Sequence, residues 1–457
     1  MRFSAHLSRW FAIGLVFILT AAAGAQAPKK KVVELPWPPT LPDGKAVATD
    51  TSDEFLKAPA GVLREGVTIA KTAPKIDFLY YPCQTYKGAI WSNWGDGLAV
   101  NGKYYSSVGD HSAPEGNAFV YEYDPVSQAL RLLVNIRDLL RLMTGWYTPG
   151  KVHSRLDMGA DGNIYFSTHR GSTKTTTDKF HYEGDWIIRV DPKTAKPEIV
   201  AHGPVAKHCI PCSAFDAERM IFYGGTAPGV PKEGDGVHFL AFDVKGKKTL
   251  CDVQNGPARY MILAKSTGKV YWTPGKEDGV GNVVCWDPAK GGEPYPIKAV
   301  LGLRSATQET KDGKVYTIAK SNKKGGEGVL FSFDTKTEAA EELGPAAVAS
   351  NEYVASIDVD PTGRYLYYIP GAHGGGHRDG SPIVQYDIKT KTRKVLAFVA
   401  PFYKAKYGAT PVGTYSTAID PAGDKLYVTW NVDRGESRSW DCTALMVIHI
   451  PASERQP

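Results

Sequence analysis

The 457-residue chain is 42% hydrophobic and 22% charged, ordinary for a folded body, and its 47 glycines and 31 prolines favour many short strands joined by tight turns. The formal net charge is +6, with Arg2 and Arg9 contributing, and no basic run exceeds Lys29-Lys30-Lys31, which argues against nucleic acid as a partner. Six cysteines over this length exclude a scaffold built on disulfides.

Taken in chain order, the first element is a leader. Arg2 and Arg9 precede an apolar run over residues 10–20, and Ala21-Ala22-Ala23-Gly24-Ala25 follows. A charged start, an apolar stretch too short to span a bilayer comfortably and small residues at its end predict a signal peptide over residues 1–25. The mature protein is expected to be soluble, secreted or periplasmic, with no membrane insertion after cleavage. Residues 26–60, rich in Pro and Lys, read as a linker or a strap over the surface. Residues 61–457 read as one domain.

That domain repeats. An aromatic second strand recurs as Lys103-Tyr104-Tyr105, Asn163-Ile164-Tyr165-Phe166, Met220-Ile221-Phe222-Tyr223, Lys269-Val270-Tyr271-Trp272, Lys314-Val315-Tyr316, Tyr365-Leu366-Tyr367-Tyr368 and Lys425-Leu426-Tyr427-Val428. A third strand closes on Asp124, Asp191, Asp243, Asp287, Asp334 and Asp387, and on His449 in the last copy. The closing aspartates lie about 44 to 67 residues apart, a spacing that suits four-stranded propeller blades with loops of varied length. The fold class is therefore all-β, a seven-bladed β-propeller. After Ile450 too little chain remains for a fourth strand, so an N-terminal strand is expected to complete the last blade. Residues 65–71, Glu-Gly-Val-Thr-Ile-Ala-Lys, have the right alternation. One helix is predicted, over residues 135–143.

In a blade the first strand lines the central channel. The loop before it and the loop between strands two and three open on the same face. The first-strand starts carry Asn93, His153 with Arg155, His208 with Cys209, Arg259-Tyr260, Arg304, Tyr353 and Tyr415; the second set of loops carries His111, His169-Arg170, His181, His373 and His377. Seven of the ten histidines after the leader thus gather on one face. Histidine near neutrality serves as acid, base or metal ligand. Arginine binds a carboxylate bidentately. These types suit an acidic oligo- or polysaccharide, with His153, Tyr260, Tyr415 and His208 as candidate catalytic groups. Arg155, Arg170, Arg259, Arg304, Tyr353 and Asn93 are candidate substrate contacts. His111, His153, His169 and His373 are the candidate ligands of a divalent metal such as Zn, Mn or Ca. Cys209-Ile210-Pro211-Cys212 lacks the second half of a zinc site and reads as a local disulfide or two buried thiols. Cys251 and Cys285, in adjacent blades, are candidates for a bridge.

The copies Leu156-Asp157-Met158-Gly159-Ala160-Asp161-Gly162-Asn163-Ile164-Tyr165-Phe166 and Ile357-Asp358-Val359-Asp360-Pro361-Thr362-Gly363-Arg364-Tyr365-Leu366-Tyr367 resemble the blade motif of secreted propellers of the streptogramin-lyase, gluconolactonase and oligogalacturonate-lyase type. The resemblance implies the fold. The Pro-Asn-Gly metal-ligand segment of the gluconolactonases and the histidine spacing of the oligogalacturonate lyases are absent, so function does not follow from it. Three readings stand at this point: a lyase cleaving uronate-containing glycans by β-elimination, a metal-dependent hydrolase or lactonase using the histidines, and a non-catalytic glycan- or protein-binding propeller. A monomer is expected.

Overall fold

The computed structural model describes residues 36–455 apart from 88–89, 114, 232–233, 276–277, 321–327 and 436–440. The leader over residues 1–25 lies outside the described residues. Seven sheets, each with an antiparallel four-stranded core, are arranged as blades. Blade one spans residues 91–135, blades two to five 157–202, 208–254, 262–302 and 305–345, and blade six 357–398.

The repeat has a local cause. Each closing aspartate accepts a hydrogen bond from the backbone N–H two residues on: Asp124 from Val126 (2.9 Å), Asp191 from Lys193 (2.8 Å), Asp243 from Lys245 (3.0 Å), Asp287 from Ala289, Asp334 from Lys336 and Asp387 from Lys389 (2.9 Å each). Four residues after each aspartate the chain turns left-handed, at Gln128, Ala195, Lys247, Gly291, Glu338 and Lys391. This Asx-type turn folds strand four back onto strand three. The aromatic residues of strand two are buried between blades: Tyr165 stacks on Phe215 at 4.1 Å, Tyr104 on Tyr427 at 4.9 Å, and Tyr271 meets Phe333 at 4.9 Å.

Blade seven explains why its copy ends in histidine. Its strands Thr410–Ile419, Lys425–Asp433 and Cys442–His449 are followed in the sheet by Lys75–Tyr80 from the N-terminal side. No hairpin joins the third strand to the fourth, so no turn aspartate is needed. His449 Nε2 instead meets Asp77 of the closing strand at 2.7 Å. An N-terminal strand therefore closes the ring as expected, but a different one. The segment read as the closing strand, residues 65–71, contributes Val67–Ile69, which pairs parallel to Thr392–Phe398 on the outside of blade six. The physical reason lies in burial. Ile76 and Phe78 are fully buried, as a strand between two blades must be, whereas residues 67–69 alternate only between half-buried and exposed.

Part of the segment read as a linker or strap also joins a sheet, since Ala48–Thr51 pairs with Lys75–Tyr80 as a fifth strand of blade seven. The predicted helix forms over Ile136–Leu140, capped by Asn135. A second helix, Val399–Tyr407, connects blades six and seven and was not predicted. Tyr403 packs on Phe78 at 4.8 Å and Phe402 on Phe55 at 4.7 Å, so tertiary contacts outweigh propensity here. All six cysteines are free and buried. The Cys251–Cys285 bridge does not form: the residues sit in separate sheets, where Cys251 Sγ approaches the Gly292 carbonyl instead. Cys209 and Cys212 are two buried thiols.

Candidate functional site

Two extended segments set the floor of the channel mouth. The strands Trp91–Ser92 and Pro149–Lys151 lead into Trp94 and Asp96, and into His153 and Arg155. A small cavity lies between them, lined by Trp94, Asp96, His153, Arg155, Arg259, Tyr260, Arg304 and Tyr415 among others.

The upper layer is aromatic and cationic. Trp94 lies 4.8 Å from Tyr415, 4.9 Å from His111 and 6.0 Å from His153, ring centre to ring centre. Lys151 Nζ sits 4.3 Å above the Trp94 ring. Arg304 donates to the Tyr353 hydroxyl and lies 5.8 Å from the Tyr415 ring centre. Tyr353 stacks on His373 at 4.2 Å, and the Tyr415 hydroxyl is 2.5 Å from His373 Nδ1. Below, Arg155 Nη1 donates to the Tyr260 hydroxyl (3.1 Å), which donates to Asp96 Oδ2 (2.6 Å). These three residues also line a second, larger chamber with Asp358 and Thr417. There Thr417 bridges Ser356 (2.8 Å) and Asp358 (2.5 Å).

Crowding of cations in a dry site sets the protonation states. His153 and His169 are held well below the ordinary imidazole range, first by burial and then by neighbouring cations, Arg259, Lys151 and Arg304 for His153, Lys151 and Arg170 for His169. His111 is pushed down to about 3 by burial, with Lys151 and Arg170 adding to it. Burial and Arg170 bring Lys151 down to about 7. All three histidines are therefore neutral at neutral pH. Because a carbonyl only accepts, His153 Nδ1 donates its proton to Pro211 O (3.0 Å) and His169 Nδ1 to Arg170 O (2.8 Å). In each ring Nε2 is then the basic nitrogen. Burial raises Tyr415 far above the phenol range, so its hydroxyl keeps its proton. Asp96 is raised by burial against the pull of Arg155, and Asp358 rises to about 6 for the same first reason.

Among the residues singled out from sequence, His153, Arg155, Arg259, Tyr260, Arg304 and Tyr415 line the one cavity. Tyr353 and His373 back it through Arg304 and Tyr415. Arg170 stands beside it, donating to Cys209 Sγ and the Pro228 carbonyl. Asn93 does not reach the cavity. It is wholly buried and exchanges backbone hydrogen bonds with the Asn431 side chain (2.7 and 3.2 Å), stitching blade one to blade seven. His208 is elsewhere too, paired with Asp235 and His238 in blade three. His111, His153, His169 and His373 are not brought together as metal ligands. Among the described residues, the one group of three or more potential ligands within 4.8 Å of one another is His208, Asp235 and His238. Sequence reasoning missed Trp94, Asp96 and Lys151. The two-residue alternation with Ser92 and with His153 was the available signal.

No protein-family model and no curated protein matches the chain. Solved structures do. An oligogalacturonate lyase in complex with manganese superimposes with a TM-score of 0.55 at 11% identity, over 90% of this chain and 98% of that one. What the likeness shows is the fold. The β-propeller domain of the Trilobed protease from Pyrococcus furiosus, described as having an open velcro topology, covers 79% of this chain at 10% identity and 94% of its own, with a TM-score of 0.46.

Proposed function

We propose that this propeller is an exported lyase that cleaves uronate-containing glycans by β-elimination at the channel mouth. The observation that carries the reading is a neutral imidazole of fixed tautomer, His153, in the same cavity as Arg259 and Arg304. Such an elimination needs a base for the proton beside the carboxylate, cations to neutralise that carboxylate as charge develops on it, and an acid for the leaving oxygen. Arg259 and Arg304 take the carboxylate. His153 Nε2 removes the proton beside the carboxylate; that electron pair becomes the new C=C bond. The glycosidic C–O bond breaks, and its oxygen takes the Tyr415 proton. The bound carboxylate also makes the base stronger. Arg259, Lys151 and Arg304 depress His153, and an anion among them offsets that effect.

A second reading, a non-catalytic binding propeller, is favoured by cavity groups that already pair within the protein, Arg304 with Tyr353 and Arg155 with Tyr260. Incubation with acidic polysaccharides separates the two. The lyase creates ultraviolet absorbance from an unsaturated uronate, and His153→Ala abolishes it in a folded protein. Binding of uronate oligosaccharides with no new absorbance leaves the binding reading. Export rests on the leader pattern, and detection of the processed protein outside the cytoplasm, beginning near Gln26, tests it; among the described residues no helix is long and apolar enough to cross a membrane.

A further inference from the structure

Blade three carries a second cluster that the channel chemistry does not use. His208 opens the strand His208–Asp216 and His238 opens His238–Asp243, so the starts of strands one and three, either side of Ile221–Pro228, bring their rings to 4.8 Å. Asp235, on the loop between strands two and three, reaches both. Its Oδ1 lies 3.1 Å from His208 Nε2 and its Oδ2 lies 3.1 Å from His238 Nε2. For bonds of about 2.0 Å, ligand atoms of a tetrahedral zinc stand roughly 3.3 Å apart, close to these separations.

The outer hydrogen bonds fit the same picture. His238 Nδ1 lies 2.6 Å from Asp252 Oδ1, and a carboxylate accepts, so Nδ1 carries a proton and Nε2 is the nitrogen turned to Asp235. A carboxylate behind a ligating histidine is the usual means of fixing its tautomer and strengthening its donation. His208 Nδ1 is 2.8 Å from the Thr226 hydroxyl, which also accepts from the His238 backbone N–H (3.0 Å). His238 Nε2 is buried with no hydrogen-bond partner. With Asp235 Oδ2 3.1 Å away, a positive centre, a proton or a metal ion, belongs between the two atoms. Both histidines are buried, which fixes two ligands on rigid strands, while Asp235 is more than half exposed beside an open groove lined by Thr176, Lys207 and Pro228.

We propose that His208, Asp235 and His238 bind one divalent transition-metal ion of the zinc class, with Asp252 and Thr226 orienting the two imidazoles. Three protein ligands leave a fourth position open to the groove, the arrangement in which zinc holds a water or an exchangeable ligand. The site stands independently of the lyase reading, because it shares no residue with the channel cavity.

The test uses the full mature protein, stripped with a chelator and titrated with zinc against a chromophoric competitor, and separately with cobalt(II). One equivalent of zinc is expected, with a raised melting temperature and a cobalt spectrum of tetrahedral intensity. His208→Gln and His238→Ala should each weaken binding at least about 100-fold, and Asp252→Asn about 10- to 100-fold with the stoichiometry kept. Metal-free melting temperatures of the variants show whether they fold; if His238→Ala does not, Asp252→Asn and His208→Gln decide. No stoichiometric binding by the wild type, or binding that survives these substitutions, overturns the proposal. So does binding lost instead in His153→Ala.

Discussion

His153 draws its proposed role from two neighbours of opposite kind. The Pro211 carbonyl holds its proton on Nδ1, and burial, with the guanidinium groups of Arg259 and Arg304, keeps it from gaining another. Removing the imidazole should cost about 10²- to 10⁴-fold in turnover of a uronate polymer, the usual worth of a positioned base. Arg304→Lys keeps a charge but loses the planar fork, and should lower kcat/KM by roughly tenfold or more, as steady-state kinetics would read. His111 permits a stability test. Its folded pKa, about 3, lies below the 6.5 of an unperturbed imidazole, so between those values the unfolded chain binds the extra proton. This contribution to stability is present above about pH 6.5 and is lost as the pH falls towards 3. Asp358, raised to about 6, acts in the opposite direction, so the comparison must be with a variant. His111→Gln should show a shallower fall in melting temperature between pH 7 and 5 than the wild type. An unchanged slope would remove His111 from that account.

At the scale of strands, the closing segment and its outer neighbour make different demands. Lys75–Tyr80 is packed between blades, and Phe78→Ala should cost about 3–5 kcal/mol in chemical denaturation. Val67–Ile69 lies outside a complete blade, and Thr68→Ala there should cost under about 0.5 kcal/mol, as at other exposed positions. Between the two, Glu454 accepts from the backbone N–H groups of Lys71 (2.7 Å) and Thr72 (3.1 Å) and pairs with Lys394, tying the last turn of the chain to the entering one. The turn aspartates were legible as a repeated letter because the interaction is local, spanning two residues. The choice between residues 65–71 and Lys75–Tyr80 was not, because both alternate and both precede the first copy. What separates them is contact with Cys442–His449, more than 360 residues away in sequence. Helix Val399–Tyr407 was hidden for a like reason, since its aromatic face matches the buried Phe55 and Phe78 rather than any helical period.

At the scale of the ring, the entries of blades two, four and five converge cations, where Lys151, Arg155, Arg259 and Arg304 surround a small cavity. Affinity for a uronate oligosaccharide should therefore fall as salt rises, although less steeply than at an exposed patch because the site is enclosed. A salt-independent affinity measured by calorimetry would remove the charged carboxylate from the recognition. By itself the sequence determined the number of blades, the order of strands within a repeat and six residues that share one cavity. Repeated turns and strand alternation are written within a few residues of themselves, so the chain displays them without folding. Only the tertiary structure decided which N-terminal strand closes the ring, that Asn93 serves the blade junction, and that His208 leaves the channel cluster for Asp235 and His238. Those outcomes depend on side chains from different blades meeting at 3 to 5 Å, and the spacing of residues along a chain carries no record of distances across it.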